Sequence, residues 1–341
     1  MERTPMKNSS VSLLCPSCKG ILPTAPHASH LTCTHCGATY PQTLGIPDLR
    51  YPRPKPDPAG QVVVEQLLDA YERLSYPDLV ALRLRLEPGS QAASEALMTH
   101  ITKYVLTQPE RGRRMVQMYL KELRRHFPLA SSTLALDLGC GSGASLFALA
   151  EMFEHVVGAE PSLASLLLAR KALETQGIQN VTLVQAYGQY LPFPAETFDY
   201  ANALNVLEHV FEVEAVLKEV QRVLRPGGCF AADSRNRFDL FLPEPHVQVR
   251  WVGLLPRRWA AAYVYWRTGL TYDHTRLLSY GDLHKALSQA FDANFHITFA
   301  YPSAYGSSSR ADTWVEKLGR IPVLGRLALQ VYPSHLAVAQ K

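Results

Sequence analysis

The chain has 341 residues, 47% of them hydrophobic and 19% charged, with a formal net charge of +4. That length fits one large core with a smaller attachment, and the composition excludes a disordered chain. The weak positive charge lacks the concentrated basic face of a typical nucleic-acid binder. The start, "MERTPMKNSS", shows no apolar core segment and no cleavage-site pattern, and no apolar run is long enough to span a membrane. A cytoplasmic, reducing setting is therefore expected for its six cysteines.

Near the amino terminus the stretch "CPSCKGILPTAPHASHLTCTHC" holds two Cys-x-x-Cys pairs, Cys15 with Cys18 and Cys33 with Cys36. Thiolates are soft ligands, and four of them in tetrahedral array suit zinc. Gly20 and Gly37 follow the two pairs and supply permissive backbone for a tight knuckle. So short a segment buries little apolar area, so metal ligation would supply most of its folding free energy. Four sulfurs leave no open coordination position, which makes the zinc structural. With the continuation "GATYPQTLGIPDLR", residues 15–50 resemble the small zinc-ribbon proteins that activate methyltransferases of transfer RNA, ribosomal RNA and release factors.

Residues 1–50 are thus expected to be a zinc ribbon, and the proline-rich residues 51–60 a linker. Residues 61–129 show helical periodicity in "QVVVEQLLDAYERL" and "GRRMVQMYLKELRRHF", which predicts a helical lid.

From residue 130 the pattern changes. "STLALDLGCGSGASLFALAEMF" runs from alternating aliphatics into Asp137, then Gly139, Gly141 and Gly143, then a helical pattern. That is a strand, a tight turn and a helix of an α/β unit. The third glycine comes two residues after the second, which disfavours the dinucleotide form G-x-G-x-x-G. "HVVGAEP" predicts the next strand, ending in Glu160, and an acidic side chain there accepts from a ribose diol. "NVTLVQAYGQYLPFPAETFDYANALNVLEHV" holds two more strands, "EVQRVLRPGGCFAADS" a helix and a fifth strand, and "FHITFAYP" and "SHLAVAQK" two further ones. The expected fold is a doubly wound, mostly parallel seven-stranded α/β sheet with a helical cap.

The order "LDLGCGSG", acidic strand end, "LPF", "FD", "LEHV", "LRPGG" resembles the class I S-adenosylmethionine-dependent methyltransferases, in particular the ubiquinone and menaquinone group. The resemblance implies a Rossmann-like methyltransferase domain over residues 130–341 and S-adenosylmethionine as cofactor. It implies that Asp137, Gly139, Cys140, Gly141 and Gly143 line the methionine part of that cofactor. Glu160 would take the ribose hydroxyls and Pro161 would face the adenine. Tyr187 stands where the family usually has an acidic contact to the adenine amine, so Tyr187, Gly188 or Gln189 would replace it. Asn205 and Leu207 would lie near the sulfonium. His209 and His246 are the candidate general bases, because histidine titrates near working pH.

An insertion over residues 235–285 carries arginines 235, 237, 250, 257, 258, 267 and 276, interleaved with Trp251, Trp259, Trp266, Tyr263, Tyr265 and Tyr272. Arginine with aromatics grips anionic small molecules or bases, or lies on an anionic membrane surface. The leading expectation is methyl transfer to a small-molecule or lipid-like acceptor, with peripheral membrane contact. The alternative is a methyltransferase of ribosomal or transfer RNA whose ribbon aids docking. A third reading is a non-catalytic cofactor-binding scaffold. The oligomeric state is not legible.

Overall fold

The computed structural model of the chain describes residues 11–23, 28–86, 102–103, 105–210, 212–244, 247–269, 271–272, 275–300 and 322–341. The amino-terminal unit is built from five short strands. β1 (Leu13–Leu14) pairs with β2 (Ile21–Leu22), while β3 (His30–Thr32), β4 (Thr39–Thr43) and β5 (Ile46–Pro47) form a three-stranded antiparallel sheet.

Three helices follow. α1 (Pro58–Tyr71) starts with proline in its first turn and Asp57 accepting from the Gly60 N–H at 3.0 Å. It therefore begins inside the segment expected to be linker, because Asp57 and Pro58 together make a better helix start than a spacer. α2 (Tyr76–Arg85) pairs with α1, and both lie on α5 (Leu163–Thr175) through a small apolar cluster around Leu67, Leu79 and Leu167. α3 (Gln108–His126) packs Met115, Val116, Tyr119, Leu120 and Leu123 inward, a period close to that of the helix.

The large sheet has seven strands. They are β6 (Leu134–Leu138), β7 (His155–Ala159), β8 (Val181–Val184), β9 (Phe198–Ala203), β10 (Leu224–Arg235), β11 (Phe295–Phe299) and β12 (Ser334–Gln340), in the order β11-β12-β10-β9-β6-β7-β8. β6 to β10 run parallel, and β12 alone is antiparallel to its neighbours. The fold is Rossmann-like. The central strands β6, β7 and β9 are buried on both faces, which is why they read as near-continuous apolar runs. α3, α4 (Leu146–Met152) and α5 cover one face; α6 (Val213–Val223) and α8 (Tyr280–Phe291) cover the other. In α6, Val213, Val216, Leu217, Val220 and Val223 are buried, each contributing about 2 kcal/mol on area grounds. α8 opens with a capping box between Ser279 and Asp282.

The segment between β10 and α8 is the cap. It holds α7 (Arg257–Thr268) and its own small core of Val247, Val249, Val252, Ala260 and Val264. Its bounds differ from the expected 235–285, because Arg235 is the last residue of β10 and α8 already starts at Tyr280. A final helix, α9 (Pro322–Val331), leads into β12.

The amino-terminal unit is not held by a free tether. Leu14 N–H donates to Pro192 O at 2.8 Å, Leu49 N–H to Gln185 O at 2.8 Å, and Gln185 N–H to Pro47 O at 2.9 Å. Its Val11, Leu13, Leu31 and Tyr40 belong to the same apolar cluster as Leu191, Phe193 and α6. The short 47–49 segment adds itself beside the end of β8, at the edge of the large sheet.

Candidate functional site

Because β6 leads one way to β7 while its other neighbour, β9, leads to β10, the sheet order reverses between β6 and β9. In open α/β sheets the ligand crevice lies outside the carboxyl ends of the strands at such a point. The turn after β6 sits there. Gly139, Gly141 and Gly143 have φ of +66°, +52° and +96°, conformations that side-chain-bearing residues rarely take. A Cβ on Gly139 would meet Val206 at 2.5 Å, so the β6 and β9 ends touch at that residue. At Gly141 a Cβ would meet nothing within 4 Å. The bare backbone there faces open space, a cradle that a side chain would fill.

Glu160 closes the other side. It follows β7, with one carboxylate oxygen accepting from Gly141 N–H at 3.2 Å and the other from Ser162 N–H at 2.9 Å. Burial raises its pKa, and the Ser162 and Gly141 amides pull it back down. Each oxygen spends one lone pair on an amide and retains another for a ligand hydroxyl. Pro161, Tyr187, Gly188 and Gln189 are half-buried around the same edge. Asn205 is exposed at the end of the β9 segment in a left-handed conformation, φ +53°, with its N–H donated to Asp233 at 2.7 Å.

Three of the residues expected to line the cofactor are buried. Asp137 has no exposed surface; it accepts from Ser145 Oγ at 2.6 Å and Asn202 Nδ2 at 3.1 Å, and so fixes the glycine turn from beneath. Burial pushes its carboxyl up to about 7. Leu207 is likewise fully buried and packs into the core with α6, because its short 3₁₀ turn points it inward. Cys140 is buried, and burial raises its thiol pKa well above the ordinary value, so it offers backbone alone. His209 ends that 3₁₀ turn with its side chain exposed. His246 lies outside the described residues.

Sequence reasoning missed Ser145 and Asn202 under the turn, and also Gln108 at the start of α3, whose Oε1 accepts from Ser142 Oγ at 2.6 Å. It also missed Arg50, which reaches Pro161 O from the amino-terminal unit, and Asp48, which holds its guanidinium. A polar residue inside the apolar run "FDYANAL" was a legible hint of Asn202; for Arg50 there was none.

Of the cap arginines, several serve the cap itself. Arg237 donates to Gly253 O and Leu255 O, Arg250 to Phe241 O, Arg257 to Leu277 O, and Arg235 bonds Ser334. Arg258 and Arg267 instead stack on Trp259 and Trp266 at 5.5 and 5.9 Å. Those tryptophans are 58% and 75% exposed and lie two turns apart on α7, beside exposed Tyr265.

The second constellation is the four cysteines, whose sulfurs all lie within 4.8 Å of one another. Cys15 to Cys36 is 3.7 Å and Cys18 to Cys33 is 3.6 Å. Tetrahedral zinc with bonds of about 2.3 Å requires sulfur separations of about 3.8 Å, so the set fits that ion. Each pair is a knuckle in which the residue after the second cysteine turns left-handed: Lys19 (φ +62°) and Gly37 (φ +73°). Gly20 is therefore not the residue supplying that turn; its bareness admits His35, whose Cβ would lie 3.2 Å from an added Cβ. Tyr40 Oη lies 3.1 Å from Cys15 Sγ and 2.9 Å from Ser17 Oγ, an outer partner of the kind that orients a ligating sulfur.

Residues 136–232 match the family model described as a methyltransferase domain. The demethylmenaquinone methyltransferase of Anoxybacillus flavithermus is 36% identical over 111 residues, covering 32% of this chain and 47% of that protein. Sterol 4-C-methyltransferase strm-1 of Caenorhabditis elegans is 32% identical over 116 residues, 33% of this chain and 35% of that protein. Among solved structures, phosphoethanolamine N-methyltransferase 2 of Haemonchus contortus with S-adenosyl-L-methionine superposes with a TM-score of 0.44 at 18% identity, over 66% of this chain and 52% of that one. The chain thus spans less than half the length of the two curated relatives named. The segment from 136 to 232 is thus similar in sequence to methyltransferase domains.

Proposed function

We propose that this protein transfers a methyl group from S-adenosylmethionine to a small, lipid-like acceptor, and that its cysteine ribbon holds a structural zinc. The observation that carries the reading is the Glu160 carboxylate, clamped by two amides, beside the bare backbone of Gly141. Glu160 would take the ribose hydroxyls on its remaining lone pairs. The backbone of Gly139 to Gly143 would receive the amino-acid end, with Pro161 against the base. Asn205 borders the same opening from the β9 side.

The cofactor supplies an already activated methyl, so the protein's task is mainly to align an acceptor with it and to exclude water. His209, exposed beside the β9 end, is the described side chain suited to take a proton from an acceptor that keeps one at neutral pH. A lipid-like acceptor is favoured by α7, where Trp259, Tyr265 and Trp266 stand exposed and are flanked by Arg258 and Arg267. Such a face suits a membrane interface with anionic headgroups. Two relatives are named for a demethylmenaquinone and a sterol, both lipids. No described helix is long and apolar enough to cross a membrane.

The test is calorimetry with S-adenosylhomocysteine, followed by incubation of methyl-labelled cofactor with fractionated lipids and RNA. Gly141→Val is the control, since its side chain would fill the cradle without striking protein atoms at Cβ. The positive φ adds about 1–3 kcal/mol of strain, so the variant's folding is checked by its unfolding midpoint. Gly139 is a poorer control, because Val206 would be struck and the fold disturbed. Binding and lipid labelling by the wild type, both lost in Gly141→Val, support the reading. Labelling of RNA alone would replace the acceptor class, and unimpaired binding by Gly141→Val would overturn the site.

A further inference from the structure

The amino-terminal unit reaches the candidate cofactor site. Residues 47–49 lie beside the carboxyl end of β8, tied by Leu49 N–H to Gln185 O and by Gln185 N–H to Pro47 O. That register carries Asp48 and Arg50 past the sheet edge to the residue after Glu160. Arg50 Nη1 donates to Pro161 O at 3.3 Å, and Gln185 Nε2 donates to the same carbonyl at 2.8 Å. The guanidinium is itself held by Asp48 in a two-pronged pair, Nε to Oδ1 at 2.8 Å and Nη2 to Oδ2 at 2.7 Å. Tyr187, standing where an acidic adenine contact was expected, is half-buried at the same edge, and it adds a minor part to the raised pKa of Arg50, which Asp48 mainly causes. One residue on, Tyr51 meets Tyr190 edge to face at 5.5 Å.

We propose that Asp48 contacts the adenine end of the cofactor and that Arg50 is the positioning residue that holds it, so that the ribbon is a working wall of the cofactor site. This rests on the S-adenosylmethionine reading above. The physical case has three parts. A planar, two-pronged pair fixes direction as well as charge, which a mere surface strap does not require. Both partners are about four-fifths covered, at 21% and 22% side-chain exposure, so their desolvation must be repaid by a defined arrangement. And Asp48 supplies, from another part of the chain, the carboxylate that the loop after β8 lacks at Tyr187. Asp48 Oδ1 already accepts from the backbone N–H and Nε of Arg50, at 3.2 and 2.8 Å, whereas the contacts of Oδ2 leave it a lone pair for a base amine.

The experiment compares S-adenosylhomocysteine with its inosine counterpart, in which a carbonyl replaces the adenine amine, by calorimetry on the full chain. The wild type should prefer the adenine compound by about tenfold, the worth of one charge-assisted hydrogen bond. Asp48→Asn and Arg50→Ala should each erase that preference, and Arg50→Lys should restore only part of it, since lysine lacks the fork. A residue that only supported the fold would weaken both ligands equally and leave the preference intact, and that result overturns the inference. Should Arg50→Ala fail to fold, Asp48→Asn, which keeps the side-chain shape, decides the matter by the same ratio. Failure of the wild type to bind either compound would defeat the cofactor reading itself. Wild-type binding with unchanged preference in all variants would defeat the ribbon's role alone.

Discussion

Asp137 is the group through which pH should act most strongly on this fold. It is fully buried at the end of β6, and burial pushes its carboxyl from an ordinary value of 3.8 up to about 7. In the unfolded chain it titrates near the ordinary value. Between the two, the native state holds a proton that the unfolded state has released, so stability falls as pH rises through that window. Integrating that relation from pH 5 to pH 8 gives a loss of about 2–3 kcal/mol from this group. The perturbation is Asp137→Asn. Its amide nitrogen can donate to Ser145 Oγ while its oxygen still accepts from Asn202 Nδ2, so the turn keeps its support. Urea unfolding at pH 5 and pH 8 is the assay. The fall in wild-type stability across that range should exceed the variant's by about 2–3 kcal/mol. Glu160, whose pKa burial also raises, is present in both proteins and acts in the same direction in each. An equal pH dependence in wild type and variant would refute the reasoning.

Elemental analysis should find about one zinc per chain, as a four-thiolate set requires. Stripping it with a chelator should speed hydrogen exchange at the Leu14 and Leu49 amides, which bond Pro192 and Gln185, while the amides of β6 and β9 stay protected. Unchanged exchange at both would mean that the ribbon docks without metal. On the cap, Trp259→Ala combined with Trp266→Ala should weaken partition onto vesicles of anionic lipid by at least about tenfold, from the apolar area no longer buried. Affinity for S-adenosylhomocysteine should not move, and vesicle binding as strong as wild type would remove α7 as the membrane face.

The order of elements in the large sheet was legible because the central strands are buried on both faces and so read as apolar runs, and because punctuation follows them: "GCGSG" after β6, "EP" after β7, "RPGG" within the β10 segment. The paired cysteines were legible for a related reason, since thiolate chemistry depends on residue type and local spacing. Local signals also misled. "PDPAG" reads as linker by composition, yet Asp57 and Pro58 start a helix, and Gly20 reads as the flexible residue of a knuckle whose left-handed turn Lys19 takes. The family resemblance implied Asp137 and Leu207 as lining residues, but only packing decided that both face inward. What no stretch of sequence contained is the meeting of distant segments. Arg50, held by Asp48, comes to Pro161 because a two-bond pairing at an open sheet edge sets residues 47–49 beside Gln185. The sequence by itself determined which elements form and which side chains bear chemistry, since those follow from local propensity and residue type. Tertiary structure alone decided which of those side chains share a surface, because long-range pairing and burial depend on the whole sheet's register.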